Sequence, residues 1–172
     1  MATPLRILIV EDSEADAELL LRELRRGGYA PEFERVETHE GLDAALTRQP
    51  WDLIVSDYAM PHFNGLQALK CTQGKGLDIP FIIVSGSIGE DVAVAAMKAG
   101  AHDYLMKDNT ARLLPAIERE LREARMRQER RQAEETIHRL AYTDPVTGLP
   151  NRVRFRENVH QAIGEAKKHR HP

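Results

Sequence analysis

The chain has 172 residues, of which 42% are hydrophobic and 30% charged, with a formal net charge of −3 and one cysteine. That length accommodates one domain of ordinary size plus an appendage. No apolar run approaches the ~20 residues that span a bilayer, the first ten residues turn strand-like too soon for a signal peptide, and the lone Cys71 excludes a disulfide framework or a cysteine-based zinc site. These features predict a cytoplasmic protein with no membrane partner. The charge is unevenly spread. Residues 1–110 carry 10 Lys and Arg against 18 Asp and Glu, a net of −8, whereas residues 111–172 carry 14 against 9, a net of +5. In that basic half the signs alternate at helical spacing, as in Glu118–Arg122, Glu123–Arg127 and Glu135–Arg139. Such i,i+4 pairs belong to a solvated helix, so no nucleic-acid partner is expected.

Taken in order, short apolar strands alternate with amphipathic helices from residue 5 to about 125. Arg6–Val10 reads as the first strand. A helix follows in which Ala17, Leu20, Leu21 and Leu24 share one face, stopped by Gly27-Gly28. Glu32–Val36 is the second strand, and a helix over about His39–Arg48 ends before Pro50. Leu53–Ser56 is the third strand, with a helix starting near Gly65. Phe81–Ser85 is the fourth, with a helix over Glu90–Ala99 stopped by Gly100. Asp103–Met106 is the fifth, with a helix from about Thr110. Three of these strands are apolar almost throughout, as strands covered on both faces are. Five such units predict an α/β domain, a doubly wound five-stranded parallel sheet that binds ligands at the carboxyl ends of its strands, followed by a C-terminal helical extension.

Beyond Leu114 the strand signal ends. Ile117, Leu121 and Ala124 form one apolar frame, and Met126, Ala133, Ile137 and Leu140 form another. The stripe is too narrow to serve as a core face, which predicts a short, imperfect coiled coil with a second copy of the chain. Asp144-Pro145 breaks the helix, with Asp144 as a cap. A last helical stretch over about 151–168 puts Phe155, Val159 and Ile163 on one face.

The chemistry gathers at the strand ends. Glu11 and Asp12 follow the first strand, Asp57 ends the third, Ser85 ends the fourth and Lys107 follows the fifth. Carboxylates packed together repel unless a cation sits among them, and Mg²⁺ suits hard oxygen ligands. A carboxylate is also a nucleophile toward phosphorus, a lysine neutralises the transferred group, and a serine hydroxyl hydrogen-bonds it. The set therefore predicts a phosphate switch centred on Asp57.

These residues closely resemble the receiver domain of two-component response regulators, over about residues 4–125. Glu11-Asp12 match the family's acidic pair, Asp57 its phosphoacceptor, and Met60-Pro61 with Gly65 the loop after it. Ser85 matches its Ser/Thr position, Tyr104 its aromatic switch and Lys107 its lysine. The resemblance implies a flavodoxin-like fold. It also implies phosphoryl transfer to Asp57 from a histidine kinase or phosphotransfer protein, with Mg²⁺ held by Asp12, Asp57 and the backbone carbonyl of Ala59, and by Glu11 through water. Asp108 stands where the family usually has a proline after the lysine in a cis bond, which leaves that peptide open between cis and trans.

A second resemblance begins at Asp144. The run Asp144-Pro145-Val146-Thr147-Gly148-Leu149-Pro150-Asn151-Arg152 is similar to the opening of GGDEF (diguanylate cyclase) domains. Only 29 residues remain from Asp144 to Pro172, too few for such a domain, so this chain is expected to be no enzyme by itself. The sequence thus divides into a receiver domain (4–125), a signalling helix (115–143) and the start of a GGDEF domain (144–172), whose intact form would regulate cyclic di-GMP. The competing reading is an interaction module that dimerises without phosphorylation. A haloacid-dehalogenase-like phosphatase also uses an aspartate nucleophile, but Ala59 stands where its second aspartate belongs.

Overall fold

A computed structural model describes residues 2–61, 63–86, 89–144, 147–152, 154–156 and 159–162. The chain divides into two compact units, Met1–Ala124 and Arg125–Pro172. In the first, five strands form one parallel sheet in the order β2-β1-β3-β4-β5. They are β1 (Thr3–Val10), β2 (Tyr29–Val36), β3 (Leu53–Asp57), β4 (Phe81–Ser85) and β5 (Asp103–Met106). Between them run α1 (Glu14–Arg26), α2 (His39–Arg48), α3 (Gly65–Gly74) and α4 (Glu90–Lys98), and α5 (Thr110–Tyr142) comes after β5.

The strand periodicity of two divides the core between the sheet's faces. Leu8 and Val10 of β1 and Ile54 of β3 pack with Leu42, Ala45 and Leu46 of α2, Ala68 and Leu69 of α3 and Ala96 of α4. Ile7 and Ile9 of β1 and Leu53 and Val55 of β3 pack with Leu20, Leu21 and Leu24 of α1 and Leu113, Ile117 and Leu121 of α5. Both clusters are apolar, so the buried stretches of β1 and β3 present apolar side chains to both faces.

Two strands begin earlier than the sequence predicts. β1 begins at Thr3 and β2 at Tyr29, paired in register from Thr3↔Tyr29 to Val10↔Val36. Their first residues are extended by backbone pairing rather than burial, which starts with Thr3 N–H donating to the Gly28 carbonyl at 2.8 Å. Pro31 is tolerated because β2 lies at the sheet edge. The helix stops obey backbone sterics, with Gly28 at φ 84° and Gly100 at φ 98°. Cys71 is half-buried in α3, and burial pushes its thiol pKa up, away from reactivity.

In the second unit, the Asp144 carboxylate accepts from Thr147 N–H at 2.8 Å and from the Thr147 hydroxyl at 2.9 Å. Thr143 and Pro150 face each other in an isolated bridge. Asn151 caps the next helical turn, its side chain accepting from Arg154 N–H at 3.1 Å and donating to the Ala141 carbonyl at 2.7 Å. Phe155 and Val159 are exposed. Ile163 and the rest of that expected helix, like Pro145 and Val146, lie outside the described residues.

Candidate functional site

β1, β3 and β5 end at one place. After Val10 the chain continues through Glu11, whose N–H donates to the Val36 carbonyl at 3.0 Å, and turns into α1 at the N-cap Ser13. β3 ends on Asp57, and Tyr58 N–H donates to the Val84 carbonyl at 2.8 Å. After β5, Lys107 N–H donates to the Ser85 carbonyl at 2.8 Å, which fixes the lysine beside the end of β4. The Lys107–Asp108 peptide, left open by the sequence, is trans.

Lys107 Nζ is the hub. It donates to Glu11 Oε2 at 2.8 Å, to Asp57 Oδ2 at 2.7 Å and to Asp16 Oδ2 at 2.5 Å. The other oxygens of the two buried acids are also engaged. Glu11 Oε1 accepts from Ser13 N–H at 3.1 Å, and Asp57 Oδ1 from Ala59 N–H at 3.1 Å. Burial pushes the Glu11 pKa up, only partly countered by Lys107 and the Ser13 N–H. Burial alone would lower the Lys107 pKa, but its hydrogen bonds to Asp16, Asp57 and Glu11 outweigh that and hold it above the ordinary lysine range.

Asp12 is exposed, and its carboxylate makes no bond to a described residue. One carboxylate oxygen each from Glu11, Asp12 and Asp57 lies within 4.8 Å of the others. Three acids, Glu11, Asp16 and Asp57, hold a single ammonium, and Glu11, Asp12 and Asp57 together offer hard oxygen donors to a common point. That donor set suits Mg²⁺ and leaves room for the waters this ion retains. Ala59, whose carbonyl was expected to contribute, is exposed at the rim.

The other two expected residues lie at the end of β4 and within β5. Ser85 is fully buried at the end of β4, joined to Lys107 through its backbone. Tyr104 is half-buried and packs against the cluster beneath α2, α3 and α4.

Two other residues escaped the sequence reading. Asp16 looked like one more acid in the first turn of α1, where acids favour the helix dipole. The only hint was the cap three residues earlier: Asp16 N–H donates to Ser13 Oγ at 3.2 Å, which turns that end of the helix back toward the acidic loop. Arg35, on β2 opposite Ile9, donates through Nη1 to the carbonyl of Glu11 at 2.8 Å, to that of Asp12 at 3.3 Å and to Glu37 at 3.0 Å. It pins the backbone that carries both acids, and only the strand register reveals this. Glu11, Asp16, Asp57 and Lys107 line one cleft together with the apolar Leu20, Val55, Leu105 and Leu113.

Comparison with known proteins agrees with this geometry. Residues 7–118 match the model of the response regulator receiver domain. Response regulator MprA of Mycolicibacterium vanbaalenii is 36% identical over 104 residues, which cover 60% of this chain and 44% of that protein. The chain therefore matches less than half the length of such relatives. Among solved structures, the beryllofluoride-activated NtrC4 receiver domain dimer superposes with a TM-score of 0.62 at 28% identity, over 69% of this chain and 98% of the other. The N-terminal domain of a response regulator/sensory box/GGDEF three-domain protein from Carboxydothermus hydrogenoformans gives a TM-score of 0.60 at 25% identity, over 71% and 98%.

Proposed function

This chain belongs to the response regulator receiver family, and from that premise we propose that Asp57 accepts a phosphoryl group from a histidine kinase or phosphotransfer protein. One observation carries the reading: Asp57 is the buried carboxylate that ends the central strand with Lys107 Nζ 2.7 Å away and the oxygens of Glu11 and Asp12 within reach. An Asp57 carboxylate oxygen attacks the phosphorus. The bond from phosphorus to the donor's imidazole nitrogen breaks, its electron pair stays on that nitrogen, and an acyl phosphate forms on Asp57. Lys107 donates to an oxygen of the arriving group and offsets its charge. Ala59 N–H keeps the carboxylate oriented through Oδ1. Asp12 and Asp57, the Ala59 carbonyl and, through water, Glu11 would hold Mg²⁺, which when bound neutralises charge on the phosphoryl oxygens.

In this reading the Ser85 hydroxyl turns to the phosphoryl group and Tyr104 buries further, reshaping the face around α4, β5 and α5. The signalling helix (115–143), continuous with the last helix of the receiver domain (4–125), carries the state to an output segment beginning at 144. The similarity of residues 144–152 to a GGDEF opening supports an output that regulates cyclic di-GMP in the cytoplasm, and a receiver of this fold occurs in a GGDEF-containing regulator. Exposed Met126, Ile137 and Leu140 support a homodimer through that helix. The test is labelling by acetyl phosphate with Mg²⁺. The natural chain should be labelled and Asp57→Asn should not. Equal labelling of both would place the acceptor elsewhere, and no labelling of either would favour the phosphorylation-independent dimerisation module.

A further inference from the structure

We propose that Asp16 is a positioning residue that restrains Lys107, so that an arriving phosphoryl group must displace the Asp16 carboxylate before the lysine can reach it; this rests on the reading of Asp57 as the acceptor. An ammonium has three N–H donors and no acceptor. In Lys107 all three are committed, to Glu11 at 2.8 Å, Asp57 at 2.7 Å and Asp16 at 2.5 Å. A bond to a phosphoryl oxygen is therefore an exchange, not an addition.

The three carboxylates differ in how readily they let go. The Glu11 side chain is 5% exposed and its second oxygen is fixed by Ser13 N–H, so its release would strand a buried charge. Asp57 is the residue being modified, and the new group grows from its own carboxylate. The Asp16 side chain is 42% exposed and stands in the first turn of α1, where helix N–H groups stabilise a free carboxylate. Asp16 can thus move into water at the least cost. Its bond to Lys107 is the one given up, and while it lasts it opposes the transfer.

Removing the restraint should speed the reaction, an outcome that ordinary damage to the fold does not produce. We would follow labelling by acetyl phosphate with Mg²⁺ in the whole chain for the natural sequence, Asp16→Asn, Asp16→Glu and Glu14→Gln. Glu14 lies in the same turn and is exposed, so Glu14→Gln removes the same charge without touching Lys107. Asp16→Asn should be labelled at least threefold faster than the natural chain. Asp16→Glu should stay near the natural rate and Glu14→Gln within twofold of it. A labelled natural chain with Asp16→Asn no faster than Glu14→Gln overturns the restraint and leaves Asp57 as acceptor. An unlabelled natural chain overturns both. The side-chain nitrogen resonance of Lys107, read without phosphodonor, should move in Asp16→Asn and not in Glu14→Gln. An unmoved resonance overturns the contact whatever the labelling rates.

Discussion

At the scale of single residues, Gly65 shows how closely the backbone wraps Asp57. A Cβ there would lie 2.9 Å from the Asp57 carbonyl oxygen and 3.2 Å from Tyr58 Cα, and Gly65 N–H already donates to the Tyr58 carbonyl at 3.1 Å. Gly65→Ala must push the loop after β3 outward, and with it the Ala59 N–H that orients Asp57. We expect a stability loss of about 1–3 kcal/mol in urea denaturation and slower labelling by acetyl phosphate. Natural values for both would mean that the loop absorbs the methyl group. The strand-end acids were legible in sequence because a charge directly after an apolar run marks the point where a buried strand reaches solvent. Asp16 and Arg35 were not, because an acid opening a helix and a base on an edge strand are ordinary by themselves. Only the approach of α1 to the end of β5, and of β2 to the end of β1, gives them partners.

At the scale of elements, α5 changes character along its length. Leu113, Ala116, Ile117 and Leu121 are buried in the sheet-facing core, whereas residues 122–142 contain no buried side chain. Met126 and Ile137 are 63% and 66% exposed, and Arg130 pairs with Glu134 at 3.3 Å on the surface, which adds little. A helix so poor in tertiary contacts holds its hydrogen bonds weakly unless a second copy covers its stripe. Amide exchange should therefore be slow over residues 113–121 at any concentration. Over 125–140 it should slow only as the chain dimerises in light scattering. Fast exchange of that segment in a dimer would assign the dimer to another surface. The helix itself was readable from its spacing, and the strands from their apolar runs. The extra residues of β1 and β2 were not, since Thr3 and Tyr29 join the sheet through backbone pairing and carry no pattern.

At the scale of the receiver unit as a whole, the acids, the serine and the lysine of the site lie at one end of the sheet. The carboxyl ends of the strands carry Glu11, Asp12, Asp57, Ser85 and Lys107. At the other end lie the reversals through 27–28, 49–52, 75–80 and 99–102. Parity matters equally: along β3, Leu53 and Val55 face α1 and α5 while Ile54 faces the opposite helices, so one residue added to this strand would exchange the surroundings of Ser56 and Asp57. The two ends therefore differ in what they forgive. A short Gly-Ser insert after Gly76, where a side chain would meet open space, should leave labelling unchanged, whereas a single residue inserted into β3 should abolish it; loss of labelling with the Gly76 insert would show that the two ends are coupled. For a lineage of such chains, length is then a free variable at the reversing end and a fixed one within the strands. New appendages can accumulate on one side of the sheet for as long as the acidic cluster and its lysine are kept on the other.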